Sequence, residues 1–178
     1  MCDLRRALQL RLRRFRRLSG HQGCRPGHPR SAIALPEYGS LAAAGTLDGL
    51  HEKRGHNDIT FTVSGYGLSY SSPVAFESLR SRLMAESKLV NVKGGLNQGF
   101  NLQTNGNGGD RGGTCSGDSG GPVFYPSDTN TIVAVTSFGL NPWCRGTDFA
   151  FRTDTEAVLA WILATVPGSE VVDIVIVA

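Results

Sequence analysis

The residues best suited to chemistry lie in one glycine-rich stretch, residues 112–124, which reads Gly-Gly-Thr-Cys-Ser-Gly-Asp-Ser-Gly-Gly-Pro-Val-Phe. A serine hydroxyl such as that of Ser119 is a poor nucleophile at neutral pH until a base takes its proton. The attacked carbonyl then becomes an oxyanion, which needs two aimed N–H donors. Because glycine has no Cβ, the backbone can turn so that the N–H groups of Gly117 and Ser119 point into one hole. The stretch predicts a nucleophile with its oxyanion hole; the alternative is a glycine-rich turn in which Ser119 has no chemical role.

Residues 115–122, Cys-Ser-Gly-Asp-Ser-Gly-Gly-Pro, resemble the nucleophile loop of chymotrypsin/trypsin-like serine proteases without a break. Residues 64–67, Ser-Gly-Tyr-Gly, resemble the segment that opens the second barrel of these proteases. Residues 131–144 resemble the strand that lines the substrate, and residues 148–162 resemble the family's last strand and helix. The resemblance implies a serine-type endopeptidase that works through an acyl-enzyme at Ser119.

The resemblance also implies roles for residues around the nucleophile. Gly117 and Ser119 would donate the oxyanion-hole hydrogen bonds. The substrate main chain would pair with the end of a strand, at Ser137, Phe138 and Gly139.

The pocket for the substrate side chain is implied to have Gly113 as its floor, six residues before the nucleophile. Because Gly113 is not an acid, that position does not support a preference for arginine or lysine. Asp148 lies near the other pocket wall and could supply a charge, and Phe149 could either block or line the pocket. Asp118 has two alternative roles: it pairs with a newly freed N-terminal amine, or it braces the loop through backbone N–H groups.

Proteases of this kind need a histidine base and an orienting aspartate before the serine. Only Ser119 matches a motif, because the family's Ala-Ala-His-Cys stretch is absent from this sequence. Residues 32–35 resemble the strand that should follow the aspartate, yet residues 27–31 contain none. The sequence therefore predicts a peptidase with impaired activity; the alternative is a non-catalytic homologue or truncated product that binds peptides.

The chain has four cysteines, Cys2, Cys24, Cys115 and Cys144, which could pair in three ways. The resemblance implies a Cys115–Cys144 disulfide that ties the nucleophile loop to the loop across the pocket. Such a bond indicates an oxidising compartment, extracellular or periplasmic. The sequence carries no export signal.

Two histidine clusters raise the question of a metal site. Residues 21–28 contain His-x2-Cys-x3-His, but the second half of a zinc site is missing. His51 and His56 are spaced one residue too far apart for a His-Glu-x-x-His site. We therefore predict no metal site and no cofactor.

Residues 1–30 form an arginine-rich arm with nine Arg and one Asp, a balance of +8, so the remainder carries +3 − 8 = −5. Three interpretations compete: an organelle-targeting presequence, an arm that binds nucleic acid or an anionic membrane, and an artefact of a wrong start or frame change. The third is favoured, so nucleic acid is not an expected partner. No apolar run is long enough to span a bilayer.

The predicted fold is all-β, a Greek-key antiparallel barrel equivalent to the second protease barrel, followed by a C-terminal helix, with the first barrel largely missing. A period-two pattern predicts a strand over 59–67, the resemblance implies a strand over 131–138, and helical spacing predicts a helix over 155–165, capped by Asp154 or Thr155. An exposed loop is expected over 76–86. Three further ranges complete the predicted strands and loops: 87–93 as a strand, 94–113 as a long loop, and 148–152 as an aromatic strand.

The predicted domains are the arm at 1–30, a partial protease domain at 31–166, and an apolar tail at 167–178. A barrel without its partner leaves one face uncovered, so self-association is expected. The other expected partner is a peptide or protein substrate.

Overall fold

The computed structural model describes residues 37–50, 58–94, 98–109, 111–126, 130–166 and 174–177. The chain divides into two units, Met1–Glu37 and Tyr38–Ala178, and nearly all described residues belong to the second. All four histidines, the arginine-rich arm, the predicted strand at 31–35, Cys2 and Cys24 lie outside the described residues. The predicted domain boundaries stay predictions.

Ten strands, one α-helix and one short 3-10 turn make up the described elements. The first five strands are β1 (Ser40–Ala42), β2 (Thr60–Gly65), β3 (Tyr70–Ser71), β4 (Phe76–Glu77) and β5 (Leu83–Asn91). The other five are β6 (Asn101–Asn105), β7 (Pro122–Phe124), β8 (Thr131–Gly139), β9 (Thr147–Arg152) and β10 (Ile176–Val177). The 3-10 turn is Asp48–Leu50, and helix α1 is Glu156–Thr165.

Six of the strands close into an antiparallel barrel in the order β8-β7-β2-β5-β6-β9, with β9 returning to β8. Closure joins Val135 to Phe151 and Thr136 to Ala150 across β8 and β9. Strands β1 and β10 extend the sheet in parallel pairings, and β3 and β4 form a separate hairpin. The predicted all-β barrel with a C-terminal helix is confirmed.

The barrel core follows from the alternation of side chains along the strands. In β2, Phe61 and Val63 are buried while Thr60 and Thr62 are half-buried, because successive side chains of a strand point to opposite faces. Their burial against other strands forms one apolar cluster. Its further members are Ala42, Leu47, Leu89, Val92, Leu102, Val123, Val133, Ala134 and Ala150. This core holds the ends of β7, β8 and β9, from which the candidate site is built.

Two loop predictions were wrong. The expected exposed loop over 76–86 contains β4 and the start of β5, which pairs without a break from Gly65↔Leu83 to Thr60↔Lys88. The expected long loop over 94–113 contains β6, Asn-Leu-Gln-Thr-Asn, where only Leu102 and Thr104 are buried. Both strands carry mostly polar or exposed side chains, so their hydrophobic alternation is too weak to read from the sequence.

The start of α1 is at a predicted position, because Thr155 is the N-cap residue, although its side chain makes no capping hydrogen bond. The carboxylate of Asp154 instead accepts hydrogen bonds from Arg152 (Nε to Oδ1, 2.8 Å; Nη2 to Oδ2, 2.8 Å) and from the Leu47 N–H (2.8 Å). Arg152 also donates to Asp48 Oδ1 at 2.9 Å. These bonds tie the segment before β2 to the end of β9.

Within the described residues, no helix is long and apolar enough to cross a membrane.

Candidate active site

The loop that carries Ser119 is fixed to β8 by backbone hydrogen bonds. The Gly120 N–H donates to the Thr136 carbonyl at 2.8 Å, and the Thr136 N–H donates to the Gly121 carbonyl at 2.9 Å. Inside the loop, the Asp118 N–H donates to the Cys115 carbonyl at 3.0 Å. Ser119 itself is exposed and is separated from β7 by Gly120 and Gly121. The loop is therefore held firmly while the serine side chain is presented to solvent.

The glycines of this loop are required by close approach to the neighbouring turn. A Cβ on Gly117 would lie 2.9 Å from the Gly67 Cα, and Gly117 has a φ of +104°. A Cβ on Gly121 would contact the backbone carbonyl oxygen of Ser64. Backbone atoms cannot move aside as side chains do, so the Ser64–Gly67 motif and the nucleophile loop pack together only as glycine-rich segments.

The two N–H groups expected to form the oxyanion hole, those of Gly117 and Ser119, donate to no carbonyl within the described residues. The neighbouring Asp118 and Gly120 N–H groups are both engaged. Two unengaged donors beside an exposed hydroxyl are what a developing oxyanion requires.

Asp118 accepts hydrogen bonds from two backbone N–H groups, that of Gly67 at 2.7 Å and that of Cys115 at 2.8 Å. A Cβ on Gly65 would contact Asp118 Oδ1, and a Cβ on Gly67 would lie 2.7 Å from its Cγ. The Ser64–Gly67 motif therefore provides the space for this carboxylate. These contacts favour the bracing alternative for Asp118.

The Cys115–Cys144 disulfide is present, with a Cα–Cα distance of 5.0 Å. It joins the nucleophile loop to the segment between β8 and β9, as the resemblance implied. Cys144 has a φ of +57°, so this segment turns sharply at the bond. A disulfide is consistent with an extracellular setting.

A cavity of about 420 Å³ lies beside Ser119. Its walls come from the nucleophile loop, the end of β8 and the disulfide-linked segment, and the buried start of β9 contributes one residue. Among the residues that line it are Thr114, Ser119, Thr136, Gly139, Cys144 and Asp148. Ser137, Phe138 and Gly139 are exposed and also line it.

Phe149 is not among the described residues that line this cavity. Its ring stacks on that of Phe138, with centroids 4.6 Å apart and planes inclined by 8°. Phe149 is buried while Phe138 is half-exposed, so Phe149 supports the end of β8 from beneath and leaves the cavity open.

The carboxylate of Asp148 occupies the floor region that the sequence assigned to Gly113. Its Oδ2 accepts the Thr114 N–H at 2.7 Å, and a Cβ on Gly113 would contact that same oxygen. A Cβ on Gly139 would lie 3.0 Å from Oδ1. Burial raises the pKa of Asp148, the hydrogen bonds from Thr114 oppose the rise, and the charge of Asp118 adds to it. Sequence reasoning placed Asp148 only near a wall, because the length of the loop after Gly139 hid its register with β8.

The base that Ser119 needs is not located within the described residues, because all four histidines lie outside them. The described part of the chain also contains no group of three or more His, Cys, Asp or Glu side chains placed to hold a metal ion.

The family model described as Trypsin matches residues 41–162. Among solved structures, human heparin binding protein (CAP37) is 24% identical, with a TM-score of 0.48, and the match covers 66% of this chain and 49% of that one. An atomic-resolution structure of the same protein gives 24% identity, a TM-score of 0.47, and coverage of 66% and 49%. The chain thus spans about half the length of the solved structures it matches. A comparison with curated proteins gave no match. Because the Trypsin model matches more than half of the sequence, this chain belongs to the trypsin family.

Proposed function

We propose that this chain performs the acyl-transfer chemistry of a serine endopeptidase, with Ser119 as the nucleophile and a peptide or protein as the substrate. The Ser119 Oγ loses its proton to a base and forms a bond to the scissile carbonyl carbon. The C–N bond then breaks and the amine leaves with a proton. Water attacks the resulting ester, which frees the acid and restores the serine hydroxyl.

The observation that carries the proposal is the exposure and hydrogen bonding of the nucleophile loop. Ser119 is exposed at the rim of a cavity, and the N–H groups of Gly117 and Ser119 have no acceptor among the described residues, whereas those of Asp118 and Gly120 are bonded. Two free donors beside an exposed hydroxyl suit a developing oxyanion.

Asp118 supports the same chemistry at a distance from the substrate. By accepting the N–H groups of Gly67 and Cys115, its carboxylate links the nucleophile loop to the Ser64–Gly67 motif. Catalysis by a hole depends on donors that are oriented before the reaction begins. Asp118 is therefore a positioning residue in this proposal.

The substrate main chain would lie along the exposed end of β8, at Ser137, Phe138 and Gly139. An extended peptide can add to a strand through main-chain hydrogen bonds, while alternate side chains enter pockets. The cavity beside Ser119 lies next to these three residues, so a peptide in this register presents a side chain to it.

A second function is peptide binding without cleavage. The observation that favours it is that the described residues contain no histidine, while the sequence lacks the family's histidine motif. Without a base, the oxyanion hole and substrate binding alone leave only a weak residual catalysis, about 10³–10⁴-fold over water.

Labelling with a fluorophosphonate probe separates the two functions, because phosphonylation requires a nucleophilic serine. We expect the full chain to be labelled, with the adduct mapped by peptide mass spectrometry to Ser119. Ser119→Ala should abolish labelling. Ser116→Ala is the matched control, since Ser116 is an exposed serine of the same loop and should leave labelling unchanged. A folded chain that the probe does not label would reject the peptidase function and leave peptide binding.

A further inference from the structure

A second cavity, of about 330 Å³, shares three wall residues with the cavity beside Ser119, namely Thr114, Cys115 and Cys144. Its other walls come from the Ser64–Gly67 motif, from β3 and from the start of β5. We call it the edge cavity. Ser119 is not among the described residues that line it, so the proposed acyl transfer leaves its function open.

The start of β5 forms one side of the edge cavity, through Leu83, Met84 and Ala85. The Leu89 N–H donates to the Ile59 carbonyl at 2.8 Å, which fixes the pattern of hydrogen bonds between β5 and β2. In an antiparallel pair, alternate residues bond to the same neighbour, so every second residue from Leu89 back to Leu83 bonds to β2. The N–H and C=O of Met84 therefore point away from β2, towards the outer edge of β5.

No strand covers this outer edge at Met84 within the described residues. Strand β6 pairs with β5 only from Lys88 onward, and the Gly112 N–H donates to the Glu86 carbonyl at 3.1 Å. The Met84 N–H and C=O have no main-chain partner among the described residues. An unpaired strand edge of this kind is a template for an added strand.

Two arginines, Arg111 and Arg145, also line the edge cavity, and both are exposed. Neither forms a salt bridge within the described residues. The charge of Arg111 acts on Asp58, but that carboxylate already pairs with Lys88 at 2.8 Å. Both arginines are therefore available to an anionic group of a ligand.

Asp118 is the only acidic residue among the described residues that line the edge cavity. Its two carboxylate oxygens accept the N–H groups of Gly67 and Cys115, at 2.7 Å and 2.8 Å. Two positive charges thus stand against one negative charge that is already hydrogen-bonded. The edge cavity favours a ligand that carries a negative charge.

We propose that the edge cavity binds an acidic segment of an extended peptide, which adds to β5 at Met84 and places a carboxylate against Arg111 and Arg145. One residue of an antiparallel peptide exchanges two hydrogen bonds with Met84, N–H to C=O in each direction. Trp143 and Tyr70, 39% and 46% exposed, line the same cavity and supply aromatic contact area. Binding here does not depend on the nucleophilicity of Ser119.

Two peptides of nearly equal shape test the preference for charge, acetyl-Ala-Glu-Ala-amide and acetyl-Ala-Gln-Ala-amide. Both are titrated by NMR into the full chain carrying Ser119→Ala, so that no reaction competes with binding. We expect the glutamate peptide to bind at least about threefold more tightly, a modest factor because exposed ion pairs are individually weak. The preference should shrink as the salt concentration rises, since salt screens exposed charges.

Hydrogen exchange of the Met84 N–H tests the pairing with β5. This N–H should exchange quickly in the free chain, and its exchange should slow about tenfold when about nine-tenths of the chain is bound to the glutamate peptide. The Ala85 N–H is the internal control, because it bonds to β2 already. Its exchange should be slow with and without the peptide.

Variants assign the charge preference to the two arginines. Arg111→Gln and Arg145→Gln should each reduce the preference for the glutamate peptide, and the double variant should abolish it. Lys93→Gln is the matched control, since it also removes one exposed positive charge but Lys93 is not among the described residues that line the edge cavity. It should leave both affinities unchanged. The comparison of the two peptides needs no cavity variant, so it stays decisive if the double variant fails to fold.

Equal affinity for the two peptides would overturn the proposal, as would an unchanged preference in a folded Arg111→Gln, Arg145→Gln chain. Unchanged exchange of the Met84 N–H in the bound chain would overturn the pairing with β5. Displacement of the glutamate peptide by an equal concentration of acetate would also overturn it, because acetate offers the charge without a main chain. These outcomes are independent of fluorophosphonate labelling: a chain that is labelled but binds neither peptide loses only the edge-cavity site.

Discussion

At the scale of single residues, two carboxylates, one in the nucleophile loop and one at the start of β9, are held in different ways. Asp118 is satisfied by two backbone N–H groups, while the described residues give Asp148 the Thr114 hydrogen bonds and no cation. The contacts of Asp118 favour a role in ordering the loop. Both carboxylates depend on glycines at 65, 67, 113 and 139 that leave room for them.

The bracing role of Asp118 predicts a loss of both stability and reactivity on Asp118→Asn. The amide can accept only through its oxygen, so one of the two N–H donors then faces an NH₂ group. We expect a destabilisation of about 1–3 kcal/mol in denaturant unfolding and slower fluorophosphonate labelling. Asp58→Asn serves as control: it loses only a surface ion pair, so stability should change slightly and labelling not at all. Normal labelling by a folded Asp118→Asn chain would show that the brace does not shape the oxyanion hole.

The raised pKa of Asp148 predicts an unusual dependence of stability on pH. Since the folded state disfavours the ionised carboxyl, the unfolded chain ionises first as pH rises through about 3.8, the ordinary value. This group's contribution to folding is therefore most favourable in acid and declines as pH rises to its folded pKa. We expect Asp148→Asn to be more stable than wild type at pH 7, with the difference vanishing below pH 3.8. A difference in denaturant midpoints that is independent of pH would contradict this.

At the scale of secondary-structure elements, the site depends on how the loop before β7 meets β8 and how β9 meets β8. The first contact uses the hydrogen bonds between Thr136 and the Gly120–Gly121 backbone, and the second places Asp148 opposite Gly139. The buried Arg152–Asp154 pair fixes the end of β9 and the start of α1, and it holds Leu47 through the Asp154 carboxylate.

Breaking this buried pair should destabilise the whole barrel. Arg152→Met leaves the fully buried Asp154 without its cation, which typically costs about 3–5 kcal/mol. Lys88→Met, which removes the exposed surface pair with Asp58, should cost far less, because water screens such a pair. Denaturant unfolding followed by tryptophan fluorescence measures both. Equal effects of the two variants would mean that the Arg152 cluster does not anchor β9.

The elements that sequence reasoning found are those with strong alternation or a dense motif. Apolar and hydroxyl residues alternate clearly in β2, β8 contains a continuous apolar run, and the nucleophile loop is a run of eight matching residues. Strand β6 was missed because Leu102 is its only apolar residue among five, which gives almost no hydrophobic signal. The position of Asp148 in the site could not be predicted either, because it depends on how β9 aligns with β8 and not on spacing along the chain.

At the scale of the whole molecule, the described residues form one closed barrel that exposes large apolar side chains. Several belong to the β3–β4 hairpin and its flanks, with Val74 94% and Phe76 76% exposed. The others in this segment are Tyr66, Tyr70, Leu79, Leu83 and Met84. Apolar patches of this kind favour association in water.

Self-association is therefore the expected behaviour of the purified chain. Sedimentation velocity over a range of concentrations should give a weight-average mass that rises with concentration. Phe76→Ser should reduce this rise, because it replaces an exposed ring of the hairpin, whereas Tyr38→Ser, also at an exposed aromatic residue but outside the hairpin, is the matched control. A monomer at all concentrations that unfolds cooperatively would contradict the expectation.

The central claim, acyl transfer to Ser119, is tested most directly by intact-mass spectrometry of the full chain after incubation with an activated peptide ester. We expect one acyl adduct per chain, mapped to Ser119 and absent from Ser119→Ala. A folded chain that forms no adduct at Ser119 would contradict the claim.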